Sequence, residues 1–152
     1  MTHINELRRR AAIVALVLTL GLFAAACGGG TPSVADELPP AESLPELEFG
    51  RGELPITVPS NWPMPEQHTI AGTMIDGSRT LTEVVYTAGG ELLSVVASYE
   101  RALPEAGYEF ETIKESDTRY RISFEGNGIK GELALAPAGH QVTTATLTFV
   151  YA

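Results

Sequence analysis

The side chains that could do chemistry are few and scattered. Beyond His3 the chain has two histidines, His68 and His140, with no His-x-His or His-x3-His pair. A structural zinc site needs four ligands converging on one ion, and nothing in the sequence nominates the missing ones. No metal and no cofactor are therefore expected. The residue types of a Ser–His–Asp set are present, but no serine sits in a Gly-x-Ser-x-Gly turn, the sharp bend that exposes a nucleophile. Rossmann and Walker glycine patterns are absent too. Glu109, Glu111 and Glu115 lie close together in one segment. Paired carboxylates of this kind do acid–base work inside a cleft; on an open strand face they are solvated charges. Catalysis is not expected of this chain.

The one residue whose surroundings specify a chemistry is Cys27, the only cysteine. Arg8, Arg9 and Arg10 precede it, followed by the uncharged run from Ala11 to Ala26, and Gly28, Gly29 and Gly30 come after it. A charged start, an apolar stretch and small residues before the cut make a secretory signal. The sixteen-residue run rises about 24 Å as a helix, short of the ~30 Å hydrocarbon core, so a permanent span is the weaker reading. Residues 8–30 resemble the lipobox region of bacterial lipoproteins, with Ala24, Ala25 and Ala26 in the three places before the cysteine and Ala24 standing where leucine is usual. The resemblance implies cleavage before Cys27 and a diacylglyceryl thioether on its sulfur. That would hold an exported protein on the outer face of the cytoplasmic membrane, since two acyl chains anchor stably at ~0.8 kcal/mol per buried CH2. The alternative is a free, buried thiol behind an ordinary signal. In either case one cysteine forms no intramolecular disulfide, and the fold must stand on its core.

Removing residues 1–26 leaves seven bases and eighteen acids, a net charge of −11. That balance disfavours nucleic acid and anionic surfaces as partners, and its self-repulsion favours a monomer. Eight of the ten prolines fall between Pro32 and Pro65, and Gly28–Pro55 has six acids against Arg51 alone. With no hydrophobic period, residues 27–55 read as a lipidated cysteine on a disordered tether, 28 residues long after the cysteine. Such a tether spans roughly 29 Å as a coil and up to about 87 Å in polyproline form.

Residues 56–152 read as one α+β domain. Val58-Pro59-Ser60-Asn61-Trp62-Pro63-Met64-Pro65 is extended by its prolines, and its Trp62 either plugs the core or forms an aromatic platform for a ligand. Strands are expected over 69–76, 79–87, 108–115, 119–126, 129–136 and 142–151. Between the second and third, Leu92, Val95, Val96, Tyr99, Ala102, Leu103 and Ala106 make one apolar helical stripe, with Pro104 predicting a kink or an early end near Leu103.

The turns predict registers. Asn127-Gly128 is a type I′ signal that sets Phe124 opposite Gly131, Ile122 opposite Leu133 and Glu125 opposite Lys130. A turn at Ser116-Asp117-Thr118 sets Phe110 opposite Phe124 and Glu115 opposite Arg119. A loop at Ala138-Gly139-His140 sets Leu133 opposite Ala145. All three agree on one buried face, which a one-residue slip would turn to water. The expectation is an antiparallel sheet of about six strands, order ββαββββ, with one helix packed on one face. Ile122, Phe124, Leu133, Leu147 and Phe149 should meet Val95, Tyr99 and Leu103 in the core.

The run Val58–Gly107, with its Pro-x-x-Trp-Pro-x-Pro lead-in, two strands and a helix ending Tyr99-Glu-Arg-Ala-Leu-Pro-Glu-Ala-Gly-Tyr108, resembles a type of small bacterial lipoprotein domain. Those motifs are structural and imply no activity. The expected function is a non-catalytic interaction or accessory domain, anchored by its lipid and meeting an envelope protein or glycan. The alternative is a small ligand carrier or hydrolase with a pocket between helix and sheet. The expected partner face is the outer side of the last four strands, where Arg119, Arg121 and Lys130 stand on an otherwise acidic domain, with Trp62 as a second candidate.

Overall fold

A computed structural model describes residues 38–152; Cys27 and the signal-like segment lie outside them. Seven strands form one antiparallel sheet: β1 (Glu48–Gly50), β2 (His68–Asp76), β3 (Leu81–Gly89), β4 (Glu109–Ser116), β5 (Arg119–Gly126), β6 (Ile129–Gly139) and β7 (Val142–Tyr151). The one α-helix among the described residues, α1 (Leu92–Glu105), joins β3 to β4. The spatial order is β1-β2-β3-β7-β6-β5-β4. The chain makes a hairpin, crosses to the far edge through α1, and meanders back until β7 pairs with β3.

The ββαββββ succession holds, and one strand is added in front of it. β1 lies inside the segment expected to be tether, and it pairs Phe49 with Met74 on β2. Before it, a short 3-10 turn spans Ala41–Ser43. Pro45 then accepts the Gly77 N–H at 2.9 Å, and Gly77 is the residue that allows this approach, because a Cβ there would lie 2.4 Å from the Pro45 oxygen. Leu38 packs on the core. From Leu38 onward the proline- and acid-rich stretch is thus part of the fold. Composition missed this because the anchoring is by backbone and by single apolar residues, which leave no period.

One face of the sheet is buried. Val84, Tyr86, Ile122, Leu133, Leu135, Leu147 and Phe149 point to the helix side and are at most 1% exposed. The helix presents Leu92, Val95, Val96, Tyr99 and Leu103 to them. Pro104 does not end the helix early. It falls in the last turn, where the helix stops at Glu105, and Gly107 takes the left-handed exit at φ 86° while the Tyr108 N–H caps the Leu103 carbonyl at 3.0 Å. The missing N–H of Pro104 removes the bond to the Glu100 carbonyl, which its ring also crowds, but only one helical residue follows it.

The register around Asn127-Gly128 is the one expected. At the other two turns it differs. Ser116, not Glu115, faces Arg119, and Glu115 is bulged out of the β4–β5 ladder; the Ser116 hydroxyl accepts the Thr118 N–H at 3.3 Å, tightening the turn by one residue. The β6–β7 turn sits at His140-Gln141, with a second irregularity between Pro137 and Gly139, so Leu133 faces Leu147 instead of Ala145. That is a slip of two residues, and since strand side chains alternate with period two, the buried set is unchanged. Phe110 keeps its predicted partner Phe124 but is 36% exposed, because β4 is the edge strand.

The Tyr86 and Tyr99 hydroxyls meet at 2.5 Å inside this core. Burial pushes the Tyr86 phenol up to about 12 and raises that of Tyr99. Both shifts favour the neutral form in the folded state. Their contribution to stability is complete below the unfolded phenol value of about 10 and is lost as pH rises through the folded value. Alkaline titration followed by circular dichroism should show unfolding begin between those limits, with tyrosinate absorbance appearing together with it. Replacing both tyrosines by phenylalanine should move the onset to higher pH. At neutral pH, Leu133→Ala should cost about 2–5 kcal/mol in urea unfolding, since Leu133 is fully buried between Ile122 and Leu147.

Candidate functional face

Trp62 does not join the cationic strand residues. It is 5% exposed, with ring centroids 4.7 Å from Phe124, 5.3 Å from Tyr108 and 6.4 Å from Tyr99. Its indole N–H lies toward the Tyr86 oxygen, where it favours the phenolate, without closing a hydrogen bond of normal geometry. The lead-in around it is tied down at both ends. The Thr82 hydroxyl donates to Thr57 at 2.7 Å, the Asn61 amide donates to the Ala106 carbonyl at 3.0 Å, and Gly89 donates to Gln67 at 2.8 Å. Contrary to the expectation, the segment is not extended: it closes turns from the Val58 N–H to the Pro55 carbonyl at 3.0 Å and from the Trp62 N–H to the Pro59 carbonyl at 2.9 Å, and so folded it covers sheet surface that α1 leaves open. Trp62 is therefore a core residue, not a ligand platform.

The opposite face of the sheet has no covering layer among the described residues. Strand registers arrange it in rows. One runs Glu109, Glu125, Lys130, Val150, Leu81; the next runs Glu111, Ser123, Glu132, Thr148, Glu83, Met74; a third runs Ile113, Arg121, Ala134, Thr146, Val85. The centre is thus a row of Thr144, Thr146, Thr148 and Val150 on β7, with Leu81, Glu83 and Val85 beside it on β3, and the other charges lie toward β4.

The three cations do not form one patch. Arg121 is held by Glu115 at 2.9 Å and by Glu132 at 3.4 Å. Glu115 stands at the bulge, and its carboxylate meets Arg121, not the expected Arg119. Lys130 stands across from Glu125, one row beyond Glu132. Arg119 lies at the β4–β5 turn, beside a shallow depression with Ser116, Thr118 and Pro137. Six carboxylates share the face: Glu83, Glu109, Glu111, Glu115, Glu125 and Glu132. The expectation of a cationic face is corrected: the face is net acidic with a neutral hydroxyl centre.

The histidines stay apart from this face and from each other's chemistry. His68 is exposed at the start of β2, its Nδ1–H donating to the Pro65 carbonyl at 2.6 Å, and His140 is in the β6–β7 turn. Among the described residues no three His, Cys, Asp or Glu side chains are grouped to hold a metal ion. The space between helix and sheet is filled by Tyr86, Tyr99, Leu103 and Phe149. Asp76 is the one buried carboxylate among the described residues. The Ser78 hydroxyl at 2.6 Å and the Arg79 guanidinium at 2.7 Å hold it ionised and below the usual carboxylate range, so it locks the β2–β3 turn.

No family model, no curated protein and no solved structure matches this chain.

The two arginines should behave differently on substitution. Arg119→Glu should leave the urea midpoint nearly unchanged. Arg121→Glu should lower stability by about 1 kcal/mol, because it replaces the only cation between Glu115 and Glu132 with a third carboxylate.

Proposed function

We propose that this chain is a membrane-anchored envelope lipoprotein whose folded part is a non-catalytic interaction domain, presenting the open sheet face to an envelope protein or glycan. The observation that carries this reading is the one-sided sheet. Helix and lead-in are both spent on one face, and the other offers a broad array of Thr, Ser and charged side chains with its hydrogen-bonding groups pointing outward. Hydroxyls and paired charges on a rigid sheet suit recognition of polar partners. A carrier or hydrolase would need room between helix and sheet, and that space is occupied by packed aromatic and aliphatic side chains.

The anchor in this reading is Cys27, supported by the Arg–apolar–small order in front of it. No described helix is long and apolar enough to cross a membrane. Because the fold begins by Leu38, only residues 28–37 separate it from the lipid. Ten residues reach at most about 36 Å when fully extended, so the domain works close to the bilayer, well short of the reach of a 28-residue tether.

Fractionation tests the anchor. The wild-type chain should stay with membranes through high-salt washing and carry two acyl chains by mass spectrometry, whereas Cys27→Ser should be released from them. A Cys27→Ser protein that remains as tightly bound would overturn the anchoring. Photo-crosslinkers placed at Thr146 should capture a partner in cells, and the same groups at Leu93 on the helix should not; capture that is equal from both positions would remove the sheet face from the reading.

A further inference from the structure

Half of the exposed large apolar side chains among the described residues fall within ten positions of the chain. Leu47 is 57% exposed, Phe49 71% and Ile56 72%, with Leu54 at 39% beside them. They surround the β1 edge of the sheet. Phe49 shares the open side with its partner Met74, while Leu54 and Ile56 border a concavity that reaches Thr73 and Ile75 on the helix side. The apolar side chains thus flank one edge on both sides and form a ridge. Glu46, Glu48, Arg51 and Glu53 are interspersed and exposed. They guard this edge against a further strand and leave the apolar side chains uncovered.

We propose that this ridge dips into the surface of the bilayer, so that the domain stands edge-on against the membrane that anchors it. The inference rests on the reading of Cys27 as the lipidated residue, and the length of chain between lipid and fold is what names the occupant. Only residues 28–37 lie between Cys27 and Leu38, and ten residues reach at most about 36 Å. Leu38 packs at Gly128 in the β5–β6 turn. From there β1 is four strand spacings away, about 20 Å. The lipid can therefore sit in the bilayer while the β1 edge touches it. A domain so confined meets the membrane at a high local concentration, and a contact too weak to recruit a free domain is then sufficient. A ridge also suits a fluid interface, which conforms to protruding side chains, whereas a protein partner would need a matching groove.

Phenylalanine, leucine and isoleucine are side chains that enter the boundary between headgroups and acyl chains. The charges among them set the lipid preference. Three carboxylates against Arg51 alone oppose anionic headgroups, so phosphatidylcholine is contacted more readily than phosphatidylglycerol, and salt narrows the difference by screening. In this pose the sheet stands across the bilayer surface, and its open face stays free for the partner proposed above.

Photo-crosslinking to lipid tests it. The full chain is coupled through Cys27, its only cysteine, to a maleimide lipid in phosphatidylcholine vesicles. The anchor is then supplied chemically, so the ridge and the natural lipidation of Cys27 can fail independently. A benzophenone side chain at position 49 or 56 should form lipid adducts, read by mass spectrometry, about tenfold more often than the same group at 93 on the helix or 146 on the open face; tenfold corresponds to about 1.4 kcal/mol of preference. Leu47→Ser with Leu54→Ser should lower the adducts at 56 toward the level at 93, with the thermal unfolding midpoint showing that the fold is kept. Replacing part of the phosphatidylcholine by phosphatidylglycerol should lower them too, and added salt should restore them. Lipid adducts at 49 and 56 no more frequent than at 93, or adducts to protein in place of lipid, would overturn the proposal.

Discussion

The pairing of β3 with β7 is the contact on which the rest depends. Every other strand pair except β1–β2 joins neighbours in the chain through a short turn. The β3–β7 ladder runs from Leu81–Val150 to Gly89–Val142, residues at least 53 positions apart. It fuses an N-terminal hairpin and a C-terminal meander into one sheet. Closing so long a loop costs chain entropy, and the compensation is the buried row that the ladder completes: Val84 beside Leu147 and Tyr86 beside Ala145, all fully buried. The α1 crossover makes this possible by carrying the chain from β3 to the far edge, leaving the inner position for β7.

A seven-stranded sheet is wider than one helix can cover. The lead-in solves this on the helix side. Turns beginning at Pro55 and Pro59 fold it over the core, and Trp62 is large enough to bridge Tyr99 on the helix and Phe124 on β5. Three donors, the Trp62 indole and the Tyr86 and Tyr99 hydroxyls, are gathered in this dry region around two phenol oxygens. The close Tyr–Tyr hydrogen bond offsets part of the cost of burying them. The same aromatic volume leaves no chamber between the layers, which directs attention to the uncovered face.

On that face, position in the ladder matters more than charge type. Arg121 stands between two carboxylates and is largely neutralised; Arg119, two residues away, escapes because it sits past the bulge. Lys130 is separated from both by the Ser123–Glu132 row. An incoming partner therefore meets hydroxyls first and a divided border of charge around them, which suits a polar partner better than an anionic polymer.

The sequence by itself determined what is local. The alternation of β4 to β7, the Asn127-Gly128 hairpin with its register, and the helical stripe from Leu92 to Leu103 all follow from turn chemistry and periodicity, because each involves residues a few positions apart. The two-residue slip at β6–β7 did no harm to the buried set for the same reason, since parity is a local property. The order around Cys27 likewise stands on adjacent residues. What only the tertiary structure decided involves distant residues. Nothing in Leu81–Gly89 announces β7 as its partner. Nothing in Glu48–Phe49–Gly50 announces a strand, since three residues have no period and their order comes from β2. The burial of Trp62 was one of two readings until Tyr99, Tyr108 and Phe124 closed around it. The carboxylates of the open face followed from strand parity, but the partner of Arg121 did not: a single bulged residue, Glu115, meets it in place of Arg119, and a bulge depends on how a turn closes in three dimensions.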